Sequence, residues 1–124
     1  MISTLYGLTT CDTCKKARNW LSRNGISHTF IDYRNDPVAP TTLVDWAARL
    51  GGWDRLVNKS STTWRELPSN RKSPGTDPEW LLLLREHPAL IKRPVLVTVD
   101  GVVSVGFTDN SYKLRFGAAA GYRG

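Results

Sequence analysis

The sequence predicts an α/β fold: a mixed four-stranded sheet in the order β-α-β, helices, β-β-α, with a helical subdomain inserted between its halves. Three observations predict it. A β-favouring run, a helical period and a second β-favouring run follow one another within residues 2–33. Helical periods then fill the middle of the chain. Two β-branched runs joined by Asp100-Gly101, followed by a short helical pattern, close it.

Residues 2–6 form the first run, which ends at Gly7, and Thr9-Thr10-Cys11-Asp12 supplies residues suited to a helix N-terminus. In the helix over residues 12–23, Ala17, Trp20 and Leu21 share one apolar face, and Asn24-Gly25 stops it. Residues 28–33 alternate polar and apolar and predict a second strand before the Asp36-Pro37 break. Strand, helix and strand at this spacing imply a right-handed parallel crossover. A second helix starts at Pro40-Thr41-Thr42, carries Leu43, Trp46, Ala47 and Leu50 on one face, and ends at Gly51-Gly52.

Residues 53–57 predict a short helix, residues 58–67 have no clean period, and residues 68–78 read as a turn-rich surface loop. Helical structure returns at Asp77-Pro78-Glu79, runs through Trp80 to Glu86, and ends near His87-Pro88. Residues 95–99 and 102–105 predict strands joined by a two-residue turn at Asp100-Gly101. A last helix starts at Thr108 or Asp109 and carries Tyr112, Leu114 and Phe116, and residues 117–124 read as a flexible tail. The whole is one domain over residues 1–124 with a helical insertion over about residues 41–90, in the element order of a thioredoxin-like fold.

With 124 residues, 40% of them hydrophobic, and five Trp, the chain has enough apolar side chain for one core. No apolar run approaches the roughly 20 residues of a bilayer span, and the first residues lack the pattern of a secretory signal. A cytoplasmic monomer with no membrane contact is the expectation. Seventeen Lys and Arg against eleven Asp and Glu leave a net charge of +6, which suits an anionic partner. The basic residues are scattered, so composition does not choose between a solvated surface and a face for a small anion, an acidic protein or a nucleic acid.

The two cysteines, Cys11 and Cys14, are spaced C-x-x-C where a strand gives way to a helix. Thiolate is the reactive form, and unpaired amides in a first helical turn favour negative charge, so Cys11 should titrate low. Cys14, one turn further on, is placed to attack a mixed disulfide formed on Cys11. Lys15 and Lys16 add positive potential, which Asp12 opposes in part. Zinc would need two more ligands, and His28 and His87 lack the close spacing of a structural site, so no metal is expected. A permanent disulfide across two residues would restrict the unfolded chain little. The bland alternative, two small inert core cysteines, stays open. Arg93-Pro94 precedes the strand at residue 95; the proline suits either a trans strand start or the cis bond that faces the cysteine loop in thioredoxin-like folds. Arg93 is either a holder of an anion beside the thiolate or one more surface arginine.

Several pieces together resemble the arsenate reductase-related (ArsC) family: Leu5-Tyr6-Gly7 ahead of Cys11-Asp12-Thr13-Cys14-Lys15-Lys16-Ala17-Arg18, Leu56-Val57-Asn58-Lys59 with Thr62-Thr63-Trp64-Arg65, Leu90-Ile91-Lys92-Arg93-Pro94-Val95-Leu96, and Val105-Gly106-Phe107. The likeness runs over residues 2–116 and is strongest to the YffB-type branch of glutathione-dependent reductases. It implies a thioredoxin-like fold, Cys11 as nucleophile with Cys14 and Arg93 as catalytic partners, and Lys15, Asn58, Lys59, Arg65 and Pro94 around the substrate or glutathione. It also implies no bound cofactor, with glutathione or a thioredoxin-type protein as electron donor. Arsenate reductases of the family hold their oxyanion with three arginines, whose positions correspond here to Asn58, Arg93 and Gly106, so true arsenate reduction is disfavoured. The C-x-x-C departs from most YffB-type members and resembles the Spx-type regulators, which bind RNA polymerase under disulfide control. The expectation is a cytoplasmic thiol-disulfide oxidoreductase; the alternative is an Spx-like redox-sensing transcription regulator.

Overall fold

The computed structural model describes residues 2–117, so the predicted tail lies, beyond Gly117, outside the described residues. The chain divides into two compact units, one formed by residues up to Asp36 and from Arg93, the other by Pro37–Lys92.

The first unit is a mixed four-stranded sheet in the order β2-β1-β3-β4. Strand β1 (Ser3–Gly7) pairs in parallel with β2 (His28–Asp32), from Ser3 opposite His28 to Gly7 opposite Asp32. Helix α1 (Asp12–Arg23) makes the crossover between them. Strand β3 (Val95–Val97) runs antiparallel to β1, with Leu96 opposite Leu5, and β4 (Val103–Val105) antiparallel to β3. Helix α6 (Asp109–Phe116) follows, its start closed by a reciprocal pair of side-chain bonds between Thr108 and Ser111. This order and sense are those of a thioredoxin-like α/β fold.

The core of this unit explains why these segments order together. Leu5 and its cross-strand partner Leu96 meet Ala17, Trp20 and Leu21 of α1 and Tyr112 of α6, all buried, with Ile26, Phe30, Phe107 and Phe116 packed around them. The predicted apolar face of α1 is the face that is buried. On α6 the outcome is mixed: Tyr112 is buried, whereas Leu114 is 87% exposed, because residues two apart on a helix face opposite ways.

The hairpin differs from the expectation of a two-residue turn. Thr98 donates its N–H to the Val102 carbonyl at 3.1 Å, so the loop is Val99-Asp100-Gly101, three residues long. Gly101 donates back to the Thr98 carbonyl at 2.8 Å and sits at φ 84°, the left-handed position such loops require. The Asp100 carboxylate accepts from the Thr98 hydroxyl, which holds the loop in this form.

The second unit is helical. Helix α2 (Pro40–Leu50) buries Leu43, Trp46 and Ala47 and ends at Gly51, at φ 98°. Short helices α3 (Trp53–Leu56) and α4 (Thr62–Arg65) follow, then a turn of 3-10 helix at Ser69–Arg71, helix α5 (Asp77–Glu86) and a second 3-10 turn at Pro88–Leu90. Helix α4 lies in the stretch without a clean period, since four residues are too few to show one; the Ser61 hydroxyl caps it by accepting from the Trp64 N–H at 3.1 Å. The cap of α5 is Thr76, one residue before the Asp77-Pro78-Glu79 signal. Three indoles stack in this unit: Trp80 lies against the half-buried Trp53 at 5.9 Å and against Trp64 at 6.2 Å between ring centroids. No helix among the described residues is long and apolar enough to cross a membrane.

Candidate active site

Chemistry-bearing side chains of the first unit gather where β1 ends and α1 begins. The N–H of Cys11 donates to the Leu8 carbonyl at 3.1 Å, closing a turn, and the N–H of Lys15 donates to the Cys11 carbonyl at 3.1 Å as the first bond of the helix. Cys11 is therefore the N-cap of α1, in extended conformation at φ −89° and ψ 123°. That position is usually held by Ser, Thr, Asp or Asn, whose oxygen accepts from the free amides of the first turn. A neutral thiol is a weak acceptor, and the Cys11 side chain closes no capping hydrogen bond. As a thiolate it becomes the acceptor that the helix end lacks.

The surroundings favour that anion. Partial burial on its own would raise the Cys11 thiol, but the N–H of Cys14, the thiol of Cys14, the Arg93 guanidinium and the N–H of Thr13 all stabilise the charged sulfur, and the net effect is a lowered pKa. Cys14 goes the other way. It is 1% exposed, and burial, together with the hydrogen bond and charge of the Cys11 thiolate, outweighs the N–H of Leu8 and the Arg93 charge, pushing it up to about 11. A protonated Cys14 next to a Cys11 shifted toward thiolate is the arrangement of a nucleophile with a proton-bearing partner. The close fit has a cause in β1: a Cβ on Gly7 would sit 2.5 Å from the Cys14 sulfur, so only glycine leaves room for it.

Arg93 enters from the β3 side of β1, with Pro94 between it and the strand. The Arg93-Pro94 bond is cis, and the Pro94 carbonyl accepts from the N–H of Gly106 at 2.8 Å. The Arg93 guanidinium hydrogen-bonds both the Cys11 sulfur and the Tyr33 hydroxyl; burial works against its charge, and the charges and hydrogen bonds of Tyr33 and Cys11 more than offset it. The surface-arginine alternative for Arg93 is thus not what the structure shows.

The loop ahead of Cys11 is fixed by the end of β2. The Asp32 carboxylate accepts from the Thr9 N–H at 2.9 Å, the Thr9 hydroxyl at 3.0 Å and the Arg34 N–H at 2.8 Å. The Thr9 N–H is the main cause of a lowered Asp32 pKa. A lowered folded-state value means that the carboxylate stabilises the fold above its unfolded pKa, near 3.9, and that this contribution is lost as pH falls through the folded value. Asp32→Asn is therefore expected to lower the unfolding temperature at about pH 7, and the gap to wild type is expected to close in acid, on the order of pH 2. Thermal melts at the two pH values check this; a gap that persists unchanged in acid would show that the carboxylate charge is not what holds Thr9.

The other residues singled out in the sequence divide between the two units. Lys15 is exposed on α1 and lines a shallow polar depression with Arg18, Asn19, Ser22 and His28; the cation on the Cys11 sulfur is Arg93. Asn58, Lys59 and Arg65 belong to the helical unit and are engaged within it. The Asn58 side-chain oxygen accepts from the Ser60 N–H at 3.0 Å, Lys59 pairs with Asp54 at 2.6 Å over the Trp64 ring, and Arg65 donates to the Ser60 carbonyl at 2.9 Å. Gly106, at φ 80°, has its N–H committed to Pro94.

Sequence reasoning missed Tyr33, Asp32 and Thr9. By pattern Tyr33 is only the last residue of a strand, but it is 1% exposed, and a buried phenol needs a partner for its hydroxyl. Its position just after β2, beside the end of β1 in a parallel pair, is the signal that could have found it.

Residues 6–114 match the ArsC family. The chain belongs to that family. An uncharacterized protein of Haemophilus influenzae is 42% identical over 113 residues, 91% of this chain and 97% of that protein. Among solved structures, a YFFB protein is 36% identical with a TM-score of 0.80, covering 95% of this chain and 97% of that one. The global transcriptional regulator Spx 1 of Bacillus cereus is 24% identical over 111 residues, 89% of this chain and 83% of that protein. This ArsC-family chain therefore resembles a YFFB protein in fold and sequence and a transcription regulator more distantly, as its two cysteines implied.

Proposed function

We propose that this ArsC-family protein is a thiol-disulfide oxidoreductase that uses Cys11 as nucleophile and glutathione or a thioredoxin-type protein as electron donor. The observation that carries the reading is the pairing of an N-cap sulfur biased toward thiolate with a buried, protonated cysteine and one arginine. In the first step the Cys11 thiolate attacks one sulfur of a substrate disulfide, forming a mixed disulfide and expelling the other half as a thiolate, which takes up a proton. Cys11 is then neutral, so the part of the Cys14 shift due to its charge and hydrogen bond disappears. Cys14 gives up its proton, attacks the Cys11 sulfur, releases the second half of the substrate as a thiol and leaves a Cys11–Cys14 disulfide. Two electrons have passed to the substrate, and two thiols of the donor return them.

Arsenate fits this site less well than a glutathione mixed disulfide. At the three positions where arsenate reductases of the family carry arginine, this chain has one arginine, Arg93, an asparagine whose oxygen is used by Ser60 and a glycine whose N–H is used by Pro94. Each missing charged hydrogen bond removes about 1.5–3 kcal/mol of oxyanion binding, so two of them correspond to a factor of roughly 10²–10⁴. Steady-state assays are expected to give a kcat/KM for arsenate lower by about that factor than that of a family reductase with all three arginines, and below that for a glutathione mixed disulfide. Arsenate turnover equal to that of the mixed disulfide would sink this assignment.

The C-x-x-C itself favours a second reading, a redox-responsive transcription regulator with RNA polymerase as partner, in line with the resemblance to the Bacillus cereus regulator. Capture of RNA polymerase by the oxidised protein only, with no turnover of any disulfide tried, would put that reading first.

A further inference from the structure

We propose that Tyr33 is a positioning residue, whose buried hydroxyl anchors the Arg93 guanidinium so that its other edge stays on the Cys11 sulfur. The inference rests on the oxidoreductase reading above and adds to it a residue that acts through another. Three facts lead to it. Tyr33 is 1% exposed, and its N–H donates to the Gly7 carbonyl at 3.1 Å, which fixes the residue at the end of β1 where the Cys11 loop departs. The Arg93 guanidinium bonds two acceptors, the Tyr33 oxygen and the Cys11 sulfur. Arg93 lies one residue, Pro94, ahead of β3, whose Val95 pairs with Tyr6, so the arginine and the tyrosine flank strands on either side of β1.

The physical need is clear from the arginine's shape. A guanidinium presents donors in a rigid planar fork, and its aim is set by whatever fixes that plane, since the long stem alone leaves many rotamers open. A neutral phenol suits the task better than a carboxylate would. A carboxylate at this place would compete with the Cys11 thiolate for the same positive charge and weaken its stabilisation. A phenol accepts one hydrogen bond and leaves the charge for the sulfur. Burial pushes the Tyr33 hydroxyl up to about 12, so it stays neutral wherever the protein is folded and active. The groups facing the Cys11 sulfur are then Cys14 and Arg93, and those facing Arg93 are Cys11 and Tyr33.

The alternative is that Tyr33 fills the core and its hydroxyl bond is only a matter of stability. The pH dependence of Cys11 alkylation by iodoacetamide separates the two, read by mass spectrometry on the Cys11 peptide of the full chain. Arg93→Ala is expected to raise the midpoint by about one pH unit, the lower end of what an opposite charge in contact supplies. Tyr33→Phe is expected to raise it by a smaller amount, on the order of half a unit, and the double variant no further than Arg93→Ala alone. A wild-type midpoint for Tyr33→Phe, or a shift that adds in full to that of Arg93→Ala, overturns the proposal, whatever the melting temperature does. In the wild type, the guanidinium protons of Arg93 are expected to exchange slowly with water and to show contacts to the Tyr33 ring in NMR spectra; their absence overturns it independently of any variant. The oxidoreductase reading fails separately, through loss of disulfide turnover in the wild type.

Discussion

Cys11→Ser is expected to reduce turnover of a glutathione mixed disulfide by at least about 10³-fold, to the level of buffer, while leaving the fold intact or slightly more stable. The two halves of that result have one cause. Cys11 is the N-cap of α1, and a serine oxygen is a better cap than a neutral thiol, worth about 0.5–1 kcal/mol at such positions. The same oxygen cannot replace the sulfur in chemistry, because a hydroxyl ionises far above neutral pH and no general base stands against it among the described residues. The contacts that lower the Cys11 thiol, from Cys14, Arg93 and Thr13, act on the sulfur because its ordinary pKa is within reach. Coupled turnover with a regenerating donor reads the first half and a thermal melt the second. Retained turnover would remove Cys11 from the mechanism; lost turnover with a collapsed melting temperature would leave it a structural residue.

The sequence made the frame of this site legible and left its wiring hidden. Strand, helix and strand could be read because β1 and α1 each bury a regular face and β2 keeps a β-favouring run without burying one, and the C-x-x-C falls at the junction of β1 and α1. The helical unit was legible where helices are long, in α2 and α5, and not in α4, where the Ser61 cap does more to fix the chain than any apolar period. The hairpin loop is one residue longer than its sequence suggests, since Asp100-Gly101 has the composition of a two-residue turn and only the pairing of Thr98 with Val102 shows the extra residue. Within the site, Cys11 could be assigned from its place at a helix start. Tyr33 could not, because its partner Arg93 is remote in sequence and is brought to it by the pairing of both β2 and β3 with β1. The polar residues Lys15, Asn58, Lys59 and Arg65 have surroundings that their place in the sequence does not show. Charge and spacing make them candidates for an anion, whereas Lys59 is held by Asp54 and two indoles and Arg65 by its own backbone.

Trp20→Ala is expected to destabilise the protein by about 3–5 kcal/mol, a large fraction of the roughly 5–15 kcal/mol that holds a domain together. Trp20 is 1% exposed, and its ring meets Tyr112 edge-on at 5.5 Å and Phe116 at 5.8 Å. It therefore ties α1 to α6 while Ala17 and Leu21 beside it pack toward Leu5 and Leu96 of the sheet. Removing the indole leaves an apolar void walled by Tyr112 and Phe116, and the contacts of Tyr112 with Phe107 and Phe116, together with the strands beneath, limit how far the walls relax. The loss reaches the chemistry through one element. Helix α1 carries Cys11 at its cap and Cys14 in its first turn, and its hold on the sheet keeps the Cys14 sulfur against Gly7. Where the variant remains folded, Cys14 is expected to become accessible to alkylating reagents that the wild type excludes. Urea unfolding followed by far-UV circular dichroism gives the first quantity and mass spectrometry after brief alkylation the second. A loss below about 1 kcal/mol would mean that the indole is not the link between α1 and α6, and the packing described for this core would have to be redrawn.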